Sequence, residues 1–89
     1  MELELKGKVA LVTGSSKGIG RAIAETLHIE GCKVALNGRS REDLLIAADM
    51  LSGVIIAQGD ITQFQEAQRV VEEVLATLGG IDILICNVG

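Results

Sequence analysis

The stretch Thr13-Gly14-Ser15-Ser16-Lys17-Gly18-Ile19-Gly20 decides the fold of this chain. It follows the apolar run Val9-Ala10-Leu11-Val12 and leads into residues 21–27, which have helical periodicity. Glycines between a strand and a helix have three tasks: to take backbone angles that a side chain would forbid, to let the backbone approach a pyrophosphate, and to let the helix pack closely. The N–H groups and positive dipole end of the first helical turn would then face the anion. The sequence therefore predicts a dinucleotide site.

Apolar runs and helical patterns alternate along the rest of the chain. Strands are predicted at residues 8–13, 33–37, 54–57 and 81–86, with helices at 18–30, 40–53 and 62–78. Alternation with right-handed crossovers predicts an α/β chain, the N-terminal part of a Rossmann-type doubly wound parallel sheet. The predicted order is β-α-β-α-β-α-β in sequence and 3-2-1-4 in the sheet, with helices on both faces, as one domain over residues 1–89.

Two helix starts are predicted from capping-box spacing. Ser40 precedes Asp43 by three residues, and Thr62 precedes Gln65 in the same way. The third helix is predicted to bury one continuous apolar stripe. Its members are Phe64, Ala67, Val71, Val74, Leu75 and Leu78.

Composition narrows the functional classes. A net charge of −4 argues against nucleic acid as the main partner, and 48% hydrophobic residues is typical of a parallel sheet covered on both faces. The sequence has no secretory signal pattern and no apolar run of about 18 residues, so a cytoplasmic protein that binds no membrane is expected. Cys32 and Cys86 lack metal-ligand spacing and are predicted to be small buried hydrophobes, and His28 is predicted to lie on the surface.

The end of the second strand should select the cofactor. An NAD site usually places an acid there for the ribose 2′-hydroxyl, but residues 36–40 contain none. Arg39 instead offers a planar guanidinium group that suits a 2′-phosphate. Ser40 offers a second hydrogen-bond donor, and Lys17 could add positive charge from the glycine loop. NADP(H) is therefore favoured and NAD(H) stays possible. The alternative is that Arg39 and Lys17 are solvated surface charges.

Polar residues also follow the third and fourth strands, at the edge where ligands bind in open α/β sheets. Asp60, with Ile61 beside it, could accept a hydrogen bond from the adenine amino group, or could simply be a carboxylate near the next helix. Asn87 could brace the neighbouring backbone, and Gly89 would allow close approach of the cofactor.

Together these residues resemble the short-chain dehydrogenase/reductase family. Thr13-Gly14-x-x-x-Gly18-x-Gly20 looks like its cofactor loop, Asp60-Ile61 like its adenine-side motif, and residues 80–89 like its fourth-strand motif, which usually ends Asn-Asn-Ala-Gly. Cys86 and Val88 depart from that ending. The resemblance implies that Ser16, Lys17 and Ile19 of the loop contact the cofactor with the three glycines. It also places Gly38 where NAD-preferring members carry Asp, and Arg39 where NADP-preferring members carry a basic residue.

The resemblance implies an oxidoreductase that transfers hydride to or from a carbonyl or alcohol substrate and forms homo-oligomers. The catalytic Ser, Tyr and Lys of the family would lie beyond Gly89, and the chain contains no Tyr. No catalytic residue or metal ligand is therefore assigned. We expect the cofactor-binding half of a longer NADP(H)-dependent reductase. The alternative is a non-catalytic nucleotide-binding or interaction module that ends naturally at residue 89.

Overall fold

The computed structural model describes residues 4–87. Four strands alternate with three helices, as the sequence predicts. The strands are β1 (Val9–Val12), β2 (Lys33–Gly38), β3 (Ile55–Gln58) and β4 (Ile83–Ile85), and the helices are α1 (Gly18–Ile29), α2 (Arg41–Asp49) and α3 (Phe64–Leu78). The strands are parallel and ordered β3-β2-β1-β4, which confirms the predicted topology.

Side chains of the two central strands alternate between two apolar cores. Ala10 and Val12 of β1 pack with α1 and α2 on one face of the sheet, together with Val34 and Leu36 of β2. The other face packs against α3, where Leu11 lies in a cluster with Val70 and Val74 of that helix. A strand exposes alternate residues to opposite faces, so these short all-apolar strands require a helix layer on both sides.

The start of α2 follows the sequence prediction and the start of α3 does not. Ser40 Oγ accepts a hydrogen bond from the Asp43 N–H at 3.2 Å, so Ser40 is the N-cap of α2. Thr62 is not the cap of α3, because Asp60 Oδ1 accepts hydrogen bonds from both its N–H and its hydroxyl. The helix begins after Gln63 instead, and Gln63 provides no side-chain cap.

One prediction of burial was right only in part, since Val74 of the α3 stripe is buried and other members are not, and a second, for Cys86, was wrong. Val70 and Val74 form the buried face of α3, while Phe64, Val71 and Leu75 of the predicted stripe are exposed, Phe64 by 80%. The apolar arc of α3 is wider than the surface that it packs against, so only the edge with Val70 and Val74 is covered. Cys32 is buried as expected, but Cys86 is exposed because it follows the short edge strand β4.

Candidate nucleotide-binding site

A cleft of about 250 Å³ lies at the carboxyl ends of the strands. One side is formed by the glycine loop and the end of β2, and the other by the segment that follows β3. The lining residues are Gly14, Ser16, Asn37, Gly38, Arg39, Gly59, Asp60, Ile61, Thr62 and Asn87. This is the position at which open α/β sheets bind their ligands.

The three glycines of the loop have three different environments. Gly14 has φ +59°, and a Cβ there would collide with the carbonyl oxygen of Asn87. Gly20 lies in the first turn of α1, where a Cβ would collide with the carbonyl oxygen of Gly14. Gly18 has φ +61° and no atom within 4 Å of a Cβ position, so it presents open backbone. Gly14 makes the turn, Gly20 brings the helix close, and Gly18 leaves room for a ligand.

The N-terminus of α1 is open on the side of the glycine loop. Its N-cap Lys17 has extended backbone angles and makes no side-chain cap, and the first turn contains no acidic residue. The first N–H groups of a helix have no partner within the helix, and the dipole gives them positive potential. This helix start is therefore suited to an anion such as a pyrophosphate.

Buried hydrogen bonds join the loop to the end of β2. The Ser15 N–H donates to the Asn37 carbonyl oxygen at 2.8 Å, and the Asn37 N–H donates to Ser15 Oγ at 2.9 Å. The Ser15 hydroxyl donates to the Val12 carbonyl oxygen at 2.7 Å. Both side chains are at most 1% exposed, so water does not compete for these bonds. The loop is thereby fixed to two strands.

A second pair of hydrogen bonds joins the loop to the end of β4. The Asn87 N–H donates to Thr13 Oγ1 at 2.9 Å, and Asn87 Nδ2 donates to the Gly14 carbonyl oxygen at 3.2 Å. The Thr13 hydroxyl in turn donates to the Ile85 carbonyl oxygen at 3.2 Å. The bracing role predicted for Asn87 is therefore directed at Gly14, the turning residue of the loop.

The wall at the end of β2 is cationic and contains no acid. Arg39 is exposed at the rim, and its carbonyl oxygen accepts a hydrogen bond from Gln58 Nε2 at 3.0 Å, which holds its backbone. A Cβ on Gly38 would lie 3.3 Å from Ser16 Oγ, so the missing side chain leaves the Ser16 hydroxyl beside the cleft. Lys17 contacts Asp43 at 3.2 Å (Nζ to Oδ2) instead of lining the cleft.

The opposite wall is organised by Asp60. Hydrogen bonds from Thr62, first from its hydroxyl and then from its N–H, lower the pKa of the Asp60 carboxyl, and the nearby Arg39 charge lowers it further. The Asp60 N–H donates to Glu66 Oε1 at 2.8 Å, which ties the segment to α3. Asp60 is thus ionised at neutral pH and is also a structural residue of its own loop.

Six of the residues predicted to bind cofactor meet in the cleft: Gly14, Ser16, Arg39, Asp60, Ile61 and Asn87. Lys17, Gly18, Ile19, Gly20 and Ser40 lie in the loop or in helix starts without lining it, and Ile19 is 72% exposed. Gly89 lies outside the described residues. Sequence reasoning missed Asn37, Gly59 and Thr62 as lining residues. Their signal was their position at the ends of β2 and β3, which the sequence does show.

A parallel sheet whose glycine loop opens a helix start at the strand ends defines a Rossmann-type nucleotide-binding fold. The sequence profile of the family described as short chain dehydrogenase matches residues 8–89. The chain belongs to this family of oxidoreductases, whose members use NAD(P)(H).

Several known proteins are similar to the chain over nearly its whole length. Glucose 1-dehydrogenase from Gluconobacter oxydans is 43% identical over 88 residues, and an uncharacterized oxidoreductase from Staphylococcus aureus strain USA300 is 44% identical over 87. The alignments cover 93% and 96% of this chain, but only 33% and 38% of those proteins. The chain thus spans between about a third and two fifths of the length of these relatives.

Solved structures also match nearly the whole of this chain with about a third of their own length. L-sorbose reductase from Gluconobacter frateurii, crystallised with NADPH and L-sorbose, matches with a TM-score of 0.96 and 39% identity, covering 100% of this chain and 36% of that one. A short-chain type dehydrogenase/reductase from Mycobacterium marinum matches with a TM-score of 0.92 and 36% identity, covering 96% of this chain and 36% of that one.

Within residues 4–87 no helix is long and apolar enough to cross a bilayer. In the same part of the chain, no three His, Cys, Asp or Glu side chains are grouped so that they could hold a metal ion.

Proposed function

We propose that this chain is the cofactor-binding part of an NADP(H)-dependent oxidoreductase that transfers hydride to or from a carbonyl or alcohol substrate. One observation carries the cofactor preference: the rim at the end of β2 presents Arg39, with the Ser16 hydroxyl beside the side-chain-free Gly38. No acidic residue stands at the end of β2 to repel a 2′-phosphate. The NADPH complex of the similar L-sorbose reductase supports the same preference.

Each part of the site has a role in holding the dinucleotide. The N-terminus of α1 and the open backbone at Gly18 would face the pyrophosphate, since both are free of side-chain and acidic obstruction. Arg39 and Ser16 would hold the 2′-phosphate, because guanidinium and hydroxyl donors suit phosphate oxygens. Asp60 and Ile61 would border the adenine. When bound, the cofactor would donate or accept the hydride, and the residues described here would bind and orient it.

Lys17 and Ser40 would contribute from outside the cleft wall. Lys17 is 74% exposed in its side chain, so its ammonium group can turn from Asp43 toward a phosphate at small cost. Ser40 follows Arg39 directly, but its hydroxyl oxygen already caps α2. Arg39 is therefore the residue on which the preference for NADP(H) depends most.

The test is to exchange the charge at Arg39. Arg39→Asp should weaken NADPH binding by about 10- to 150-fold, the range for losing a charge-assisted hydrogen bond, and should leave NADH binding nearly unchanged. Lys6→Asp is the matched control, because Lys6 is exposed in a turn at the opposite end of the sheet, beside Gly31. Calorimetric titration measures the affinities of each variant for NADPH and NADH. Equal NADPH affinity in Arg39→Asp and the wild type would contradict the proposal.

The 89-residue chain by itself should bind cofactor without turning over a substrate. It contains no Tyr, the residue type that serves as proton donor in this family, so no group is assigned to protonate a carbonyl. Purified 1–89 chain should show no NADPH oxidation with a panel of ketones. Steady oxidation would show that another group in the chain supplies the proton.

A further inference from the structure

An ion pair connects the glycine loop to helix α2. The ammonium nitrogen of Lys17, the N-cap residue of α1, lies 3.2 Å from Oδ2 of Asp43 in the first turn of α2. The other three ion pairs among residues 4–87 each lie within a single helix, α1 or α3. In this part of the chain, the pair of Lys17 and Asp43 is therefore the one that joins two elements of the fold.

The pair lies beside the proposed 2′-phosphate site. A Cβ on Gly38 would be 3.3 Å from Ser16 Oγ and 3.4 Å from Leu44 Cδ2, so the glycine loop, the end of β2 and α2 meet at Gly38. Lys17 follows Ser16 in the loop, and Asp43 precedes Leu44 in the helix. Asp43 thus brings a carboxylate to the side of the cleft where Ser16 would meet the phosphate.

The two helix starts near the glycine loop differ in their acidic residues. The first turn of α1 contains none, whereas the first turn of α2 contains Glu42 and Asp43. Acids at this position stabilise their own helix, because they interact with the positive end of its dipole. They also oppose an anionic ligand beside the same helix start. The end of β2 carries no acid, but Asp43 brings one next to the Lys17 cation.

We propose that Asp43 is a positioning residue for cofactor specificity: it competes with the 2′-phosphate for Lys17 and so limits the preference for NADP(H) over NAD(H). This rests on the proposed function, since it requires the 2′-phosphate beside Lys17. When NADPH binds, the ammonium group must leave the carboxylate or share itself between two anions, which repel each other. NADH has no 2′-phosphate, so its binding leaves the ion pair intact. Removing the carboxylate should therefore strengthen the binding of NADPH alone.

The experiment is calorimetric titration of NADPH and NADH on variants of the 89-residue chain. The ratio of the two dissociation constants does not depend on the folded fraction, because partial unfolding weakens both affinities equally. Asp43→Asn should raise the preference for NADPH about 3- to 5-fold, the upper part of the range for an exposed ion pair. Asp43→Glu keeps the carboxylate and should keep the wild-type ratio. In a Lys17→Ala background the competition is absent, so Asp43→Asn should change the ratio by less than about 2-fold.

Glu42→Gln is the matched control. It removes the same charge from the same helical turn, but Glu42 is exposed and forms no ion pair within residues 4–87, so the ratio should stay as in the wild type. An unchanged or lower preference for NADPH in Asp43→Asn would overturn the role of Asp43. An equal rise in Glu42→Gln, or in the Lys17→Ala background, would also overturn it, and each of these results leaves the cofactor site intact. A wild type that binds neither cofactor would instead overturn the proposed function.

Discussion

Replacing Gly20 by Ala tests whether close packing of α1 against the glycine loop holds the site together. In an open helix the change would stabilise the chain, since Ala is favoured over Gly by about 1 kcal/mol. Here the new methyl carbon would collide with the carbonyl oxygen of Gly14 and would lie 2.6 Å from Asn87 Nδ2. The helix start and the loop must therefore move apart.

The cost of that movement exceeds the gain in helix propensity. Overpacking of this kind costs about 1–3 kcal/mol. The displaced loop also loses the hydrogen bond from Asn87 Nδ2 to the Gly14 carbonyl oxygen, 3.2 Å long in the structure, which contributes about 1 kcal/mol. After the propensity gain, the net loss is about 2 kcal/mol. A chain of this size has a total stability of about 4–13 kcal/mol, so the loss is measurable.

Urea unfolding followed by circular dichroism measures the loss. With a slope of about 1 kcal/mol per molar urea, Gly20→Ala should lower the midpoint by about 2 M. Gly80→Ala is the control, because a Cβ there meets nothing within 4 Å and its φ is not positive; its midpoint should stay or rise. Gly18→Ala separates backbone strain from collision: it has open space but φ +61°, and should cost about 1–2 kcal/mol. A Gly20→Ala midpoint equal to that of Gly80→Ala would refute the reasoning.

Three further outcomes follow from the described residues. The 1–89 chain should self-associate in sedimentation experiments, because β4 is an edge strand with Leu84 55% exposed; a monodisperse monomer would contradict this. The lowered pKa of Asp60 means that its carboxylate stabilises the fold above pH 3.8 and that this contribution is lost as the pH falls below that value. Asp60→Asn should therefore show a shallower acid dependence of melting temperature than the wild type. The same acid dependence in both proteins would contradict this contribution of Asp60. A thiol reagent should modify exposed Cys86 rapidly and Cys32 slowly, since burial raises the pKa of the Cys32 thiol; equal rates would count against the described burial.

Topology was predictable because each step of it is local. Each apolar run is bounded by a glycine or polar turn, and parallel strands joined by helices allow few arrangements. The glycine loop was equally predictable from the sequence, since Gly14, Gly18 and Gly20 each meet a different steric demand. What the pattern could not show is competition between neighbouring groups. Thr62 fits a capping box, but its N–H and its hydroxyl both donate to the carboxylate of Asp60, two residues earlier in the chain.

Burial on α3 was not predictable from periodicity alone. The helix carries apolar residues over a wide arc, and the part that is covered depends on the width of the sheet beneath it. Val70 and Val74 meet β-strand residues Leu11 and Ala57, and Phe64 does not. Asn37 was missed for a related reason. As the fifth residue of the apolar strand β2, it reads as a strand end, and only the parallel register with Ala57 shows what its amide binds.

The residues of the site have two tasks, and under the proposed function this division would let cofactor preference change without loss of the fold. Four polar residues link the ends of all four strands through buried or half-buried hydrogen bonds: Thr13, Ser15, Asn37 and Asn87. Replacing any one of them leaves a polar partner unpaired. Arg39 has an exposed side chain at the rim, and only its backbone is held there. Arg39, which we propose selects the 2′-phosphate, should thus be exchangeable at little cost in stability, while the hydrogen-bonded floor stays the same.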